Sequence, residues 1–167
     1  MVTIAIDYDI ISHFSEHLYA SPNKAIEELV ANSFDAYATR AYVYIPGSLI
    51  ENNVLVWDDG LSMDVEALHK LWWIARSPKT AQLDRTIFKD GSSRAMIGKF
   101  GIGKLASYAV GHRITYLCKR DGRFLLVEVD YRNVPHIEEG QSNPENRVYR
   151  TPIVELTPEE AASRVEE

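Results

Sequence analysis

The chain has 167 residues, of which 46% are hydrophobic and 25% charged, and its formal net charge is −6. This size and composition predict one domain with a buried core, and exclude a disordered chain, a collagen-like repeat and a disulfide scaffold. Cys118, the one cysteine, has no internal partner, no apolar run is long enough to cross a bilayer, and Met1 to Asp9 shows no secretory pattern, so a soluble cytoplasmic protein without a membrane partner is expected.

Asp7 to Ala20 places Ile10, Ile11, Phe14 and Leu18 at helical spacing and predicts a helix. Ser21-Pro22 reads as the N-cap and first residue of a second helix running to about Thr39. Ala41 to Ile45 and Val54 to Trp57 are predicted strands, ended by Pro46-Gly47 and Asp58-Asp59-Gly60. Asp64 to Ala75 is a predicted helix with Val65, Leu68, Leu71 and Trp72 inward and its cap at Met63-Asp64. Residues 77–97 show no sustained period and read as an irregular functional lid. A short helix is expected over 102–110, opening from a glycine run. Arg113 to Lys119 and Arg123 to Tyr131 form a predicted hairpin around Asp121-Gly122. Arg150 to Leu156 is expected as one strand and Pro158 to Glu167 as a helix. Helices combined with an antiparallel hairpin suggest a two-layer α+β sandwich.

The charge is uneven. Arg76 to Lys104 carries seven basic and two acidic residues, so this stretch is +5 and the remainder −11. Such a stretch in an acidic chain suggests a local anionic ligand, weighed against a plain solvated loop. The acidic total argues against a protein that coats nucleic acid.

Three features could carry chemistry. In the second helix, Glu28, Asn32 and Asp35 fall on one stripe, with Ile26, Val30 and Tyr37 opposite as the expected core face. The stripe lacks Glu-to-Lys pairs and is interleaved with Ala25, Ala36 and Thr39, which leave room for a ligand. Next, Asp58 ends an apolar strand before Asp59 and Gly60, where a half-buried carboxylate would need donors such as a base's exocyclic amine. Last, Gly98, Gly101 and Gly103 open a helix, where backbone amides can meet an anion. Gly98 to Lys104 fits the P-loop spacing, but Leu105 follows where Ser or Thr is needed, and neither a P-loop nor a Rossmann turn has its required preceding strand here. His13 and His17 sit one helical turn apart without a third ligand and are read as structural. Cys118 is read as a small core residue and Trp72 as a core residue with Trp73 at its edge.

Taken together, Glu28-Leu-Val-Ala-Asn32-Ser-Phe-Asp35-Ala36, Asp58-Asp-Gly60-Leu-Ser62-Met63 and Gly98-Lys-Phe-Gly101-Ile-Gly103 resemble the three boxes of the GHKL ATPases. That superfamily holds DNA gyrase, the ninety-kilodalton heat-shock chaperone, histidine kinases and MutL, together with the MORC proteins. The resemblance spans about Tyr8 to Leu156 and lies nearest the MutL, MORC and heat-shock chaperone branch. It implies a Bergerat-type fold, a mixed and mostly antiparallel sheet with helices on one face. It implies ATP and Mg²⁺ as cofactors and slow ATP hydrolysis to ADP that switches a partner, a homodimer or a following domain, with nucleic acid met only through other domains. Glu28 resembles the general base and Asn32 the Mg²⁺ ligand. Asp35 and Ala36 would line the pocket, Asp58 would accept from the adenine amine, and Gly60 and Met63 would shape the adenine site. Gly98, Lys99, Phe100, Gly101, Ile102, Gly103 and Lys104 would hold the phosphates, with Lys99 and Lys104 as charge partners, and Thr151 would help hold adenine. The alternatives implied are a nucleotide-binding module without hydrolysis and a histidine-kinase-like phosphotransfer domain. Ser62 stands where the family usually has glycine, and Arg150 precedes Thr151 where glycine is common.

Overall fold

The chain is described from a computed structural model, which covers residues 2–4, 22–48, 53–71, 86–89, 91–98, 107, 110–133 and 149–166. The expected helix over 7–20, the helical segment within 102–106, and Trp72, Trp73, His13 and His17 lie outside the described residues.

The described elements form an α+β arrangement. In chain order they are β1 (Val2–Ile4), α1 (Pro22–Asp35), β2 (Ala41–Tyr44), β3 (Leu55–Asp58), α2 (Val65–Lys70), β4 (Thr86–Lys89), β5 (Ser92–Ala95), β6 (Arg113–Arg120), β7 (Arg123–Asp130), β8 (Tyr149–Thr151), β9 (Val154–Leu156) and α3 (Pro158–Glu166). All the strand pairs are antiparallel: β1 with β8, β2 with β3, β4 with β5, β6 with β7, and β7 with β9.

The core forms on the β6–β7 hairpin. Its two central turn residues, Asp121 and Gly122, have φ of 52° and 77°. Two successive positive φ angles give the turn whose twist matches the flanking strands, and Asp-Gly meets that demand. The resulting register sets Ile114 opposite Val129, Tyr116 opposite Val127 and Cys118 opposite Leu125. These pairs share one face because successive strand residues alternate sides. Leu68 of α2 joins Cys118, Leu125, Val127, Val129 and Tyr131 in one buried cluster. Burying one such aliphatic side chain contributes about 1.5–3 kcal/mol. Cys118 is the core residue its strand position implies, and burial pushes its thiol up. Asp64 accepts the Ala67 N–H at 2.8 Å and caps α2. At α3, Thr157 and Glu160 exchange hydrogen bonds, each backbone N–H to the other's side chain. This capping box precedes Pro158, whose missing N–H costs nothing in a first helical turn.

Four expectations need correction. The strand expected over 150–156 is two strands in different sheets. Thr151 pairs with Val2, whereas Val154 pairs with Leu126. Pro152 between them has no N–H for a ladder, so the chain changes partner there. The segment 77–97 is not irregular throughout, because 86–95 forms the β4–β5 hairpin, with Gly91 at φ 76° in its tight connection. Third, α1 stops at Asp35 rather than Thr39. Tyr37 takes a left-handed φ of 62°, its N–H bonds the Phe34 carbonyl at 3.0 Å, and the Ala38 N–H bonds the Ser33 carbonyl at 3.1 Å. This is a Schellman termination, normally built on glycine, and a side chain there costs about 1–2 kcal/mol.

The fourth correction concerns the apolar side of α1. The buried residues of the helix are Ala25, Ser33 and Asp35. Of the expected core face, Val30 is 37% exposed and Ile26 and Tyr37 are only half-buried, so none of the three enters the core. The helix does carry one ion pair, Lys24 with Glu27, off the polar stripe.

The turn after α1 is pinned by Asp59. Its Oδ1 accepts the Thr39 N–H at 2.7 Å and the Arg40 N–H at 2.9 Å, and its Oδ2 accepts the Thr39 hydroxyl at 2.7 Å. The Arg40 N–H above all, then the Thr39 hydroxyl and N–H, hold this carboxyl well below the usual carboxylate range. A folded value below the unfolded one contributes stability above the ordinary Asp pKa of about 3.9, lost as pH falls through the folded value. Asp59→Asn, which mimics the neutral acid, is therefore less stable than the parent at pH 7, with a difference that narrows progressively as pH falls below about 4. Urea midpoints of both proteins from pH 7 to pH 2 measure this. A difference that does not narrow between pH 4 and pH 2 assigns the effect to something other than the carboxylate charge.

Candidate functional site

The site is built where the C-terminal half of α1 meets the turn after β3. Asp58 is the last residue of β3, opposite Ala41. Its Oδ2 accepts the Ser33 hydroxyl at 2.8 Å and its Oδ1 accepts the Gly60 N–H at 2.9 Å. A half-buried carboxylate needs such donors, and one on each oxygen leaves lone pairs for a further donor. The Gly60 backbone lies so close to α1 that an added Cβ would meet the Ala36 carbonyl at 2.7 Å and the Asp58 Oδ1 at 2.9 Å. The next residue completes the seam, because the Leu61 N–H bonds the Ala36 carbonyl at 2.5 Å.

Asp35 points elsewhere. It is 6% exposed, and its two oxygens accept the N–H groups of Ile97 at 2.8 Å and Gly98 at 3.1 Å. Its carboxylate thus fastens the start of the glycine segment to α1. Glu28 is half-buried and Asn32 exposed, one turn apart on α1. Among the described residues neither side chain is held by a hydrogen bond, so both are available to solvent or ligand. Thr151 is buried, and its hydroxyl donates to the Glu128 carbonyl at 2.7 Å. Met63 packs half-buried against the core cluster. Lys99, Phe100, Gly101, Ile102, Gly103 and Lys104 lie outside the described residues.

Ser62, the departure from glycine, turns toward the end of β6. Its hydroxyl accepts the Lys119 N–H at 3.1 Å and its carbonyl accepts from Arg120 at 2.9 Å. The substitution therefore ties the turn to the core hairpin. An apolar groove of about 490 Å³ runs along the other side of α1, lined by Ile26, Val30, Phe34, Ile45 and Ile97. It does not include Glu28, Asn32 or Asp58.

Sequence reasoning missed Ser33, Asp59 and Arg94 as organising residues. Ser33 lies beside Asn32 and hides within the same helical turn, while its partner is 25 residues away. Asp59 looks like any turn carboxylate until its donors are known. Among the described residues, no group of three or more His, Cys, Asp or Glu side chains could hold a metal ion, and no helix is long and apolar enough to cross a membrane.

Residues 19–160 match the family described as histidine kinase-, DNA gyrase B-, and HSP90-like ATPase. Among curated proteins, the chain is 29% identical over 117 residues to a putative type II restriction enzyme, HgiDII, of Herpetosiphon aurantiacus, covering 70% of this chain and 18% of that protein. It is 27% identical over 130 residues to the chaperone protein HtpG of Treponema denticola, covering 68% of this chain and 20% of the chaperone. The HtpG of Cupriavidus necator is 28% identical over 122 residues, covering 63% and 19%. The chain thus spans about a fifth of the length of these relatives. With the family match covering most of the chain, and with the first two boxes meeting along α1 and the β3 turn, this protein belongs to the histidine kinase-, DNA gyrase B- and HSP90-like ATPase family.

Proposed function

We propose that the chain binds ATP together with Mg²⁺ and hydrolyses it slowly, acting as a nucleotide-dependent switch for a partner, a second copy or a following domain. The observation that carries this reading is Asp58, held between Ser33 and Gly60 with lone pairs left over. A carboxylate fixed at a strand end beside a glycine that admits no side chain suits a flat base presenting an exocyclic amine. In this reading Asp58 accepts from the adenine amine, Gly60 and Ala36 keep the approach open, and Met63 and Thr151 bound the pocket.

Asn32 offers an exposed neutral oxygen to a hard cation. Mg²⁺ is usually bound through one or two protein groups plus the phosphates and water, so a single amide oxygen on α1 fits it. When bound, the ion would neutralise charge on the phosphate oxygens. Glu28, one turn earlier, takes the proton of the attacking water. The water oxygen forms the new bond to the γ-phosphorus as the bond to the β-phosphate oxygen breaks, releasing ADP and phosphate. Asp35 holds the entrance of the glycine segment, whose amides would face the phosphates.

Two variants test this reading. Asp58→Asn places an amide NH₂ toward the adenine amine, leaves a donor unpaired and weakens nucleotide binding by at least about tenfold, the equivalent of about 1–3 kcal/mol. Isothermal titration with ADP and a non-hydrolysable ATP analogue, with and without Mg²⁺, measures it; an Asn variant that binds as tightly as the parent removes Asp58 from the adenine site. Glu28→Ala keeps the analogue's affinity within about twofold but lowers phosphate release by about 10²–10⁴-fold. Steady-state phosphate release by both proteins decides: equal non-zero rates would remove Glu28 as the base, and no release by the parent would leave a binding module without hydrolysis.

A further inference from the structure

Arg94 of β5 reaches across to the end of α1. Its guanidinium carbon lies 4.5 Å from the Phe34 ring centroid and 4.4 Å from that of Tyr37. Its Nη1 donates to the Ala38 carbonyl at 2.7 Å and to the Phe34 carbonyl at 3.2 Å. A cation is favoured at this end of a helix, where unpaired carbonyls gather partial negative charge. The faces of the two rings attract it as well. The contacts also brace Tyr37 in its left-handed conformation, which α1 needs in order to stop at Asp35. A planar fork that stacks and donates at once is an arginine property that lysine does not share.

The same strand is fastened a second time just downstream. Ala95 and Met96 alone separate Arg94 from Ile97, and the N–H groups of Ile97 and Gly98 both donate to Asp35. The two fastenings have opposite polarity: a cation of β5 meets carbonyls of the helix end, and a carboxylate of the helix meets amides of the departing chain. With two residues between them there is little slack. Gly98, where the glycine segment begins, is thereby set relative to the helix that carries Glu28 and Asn32.

We propose that Arg94 is a positioning residue for the phosphate end of the nucleotide site. It touches no nucleotide. Clamped on Phe34, Tyr37 and Ala38, it fixes the point at which the glycine segment leaves α1. This inference rests on the reading of the site as an ATP site. It also reassigns one cation of the basic stretch: the charge of Arg94 is engaged by the helix end rather than held for a triphosphate.

The test uses Arg94→Ala and Arg94→Lys in the full chain, with two readouts. The first is hydrogen–deuterium exchange in the nucleotide-free protein. Loss of the clamp speeds exchange at Ile97 and Gly98 by about tenfold in the Ala variant, and less in the Lys variant, while the amides of β6 and β7 keep their protection. The second is binding of adenosine against binding of a non-hydrolysable ATP analogue with Mg²⁺. Adenosine affinity stays within twofold, and analogue affinity falls about tenfold for Ala with partial recovery for Lys. Unchanged exchange at Ile97 and Gly98 overturns the clamp. Equal losses for adenosine and analogue, or no loss for either, overturn the positioning role. A parent that binds neither compound defeats the ATP reading and with it the phosphate-end role, and the exchange data then decide the clamp separately. If Arg94→Ala does not fold, Arg94→Lys carries the same comparisons.

Discussion

The rest of the described structure depends on a close approach between α1 and the turn after β3. The Gly60 backbone lies against the Ala36 carbonyl, and a single added carbon would sit 2.7 Å from that oxygen. Close packing of this kind leaves no graded response, because a side chain either fits or pushes two elements apart. With glycine there, α1 and the β3 turn share a hydrogen bond through Leu61, Ser33 comes within reach of Asp58, and Asp59 comes within reach of Thr39 and Arg40. The interior contribution of this seam is mostly polar. The aliphatic core lies apart from it, on the β6–β7 hairpin under Leu68.

Three carboxylates organise the seam, and each is committed to a different backbone. Asp35 holds Ile97 and Gly98, Asp58 holds Gly60, and Asp59 holds Thr39 and Arg40. Grouping like charges is costly unless each is separately hydrogen-bonded. The amides serve that purpose, and at the same time they order three loops around one helix end. Donors and acceptors fixed in advance do not need to reorganise when a charged ligand arrives, which is the property that electrostatic catalysis requires.

Local chemistry made much of this legible from residues alone. Pro22 marks the start of α1, Asp121-Gly122 marks the central hairpin, and Asp64 marks a helix cap. Asp90-Gly91 carried the same hairpin signal, but the polar Ser92 and Ser93 beside it masked the alternation that defines a strand. Tyr37 was not legible as a helix stop, because the left-handed position there is braced by Arg94 rather than taken by glycine. Periodicity placed Ile26 and Val30 on one side of the helix, but Tyr37 lies past its end, and a period says nothing about which side meets the core. Ser33 with Asp58 and Arg94 with Phe34 are pairings across sequence distances that no local pattern encodes. At the site, the residue types and their order were readable from the three boxes, whereas the division of labour among Asp35, Asp58 and Asp59 needed coordinates.

The pairing of β1 with β8 has a consequence for how the chain is made. Residues 2–4 find their partner at 149–151. A ribosome adding about 5–20 residues per second leaves the early strand waiting roughly 7–30 s for that partner. Loop closure grows only slowly with length, so the delay is set by synthesis and not by the entropy of meeting. Throughout that interval the first strand has an open edge, the kind of surface on which chains join one another.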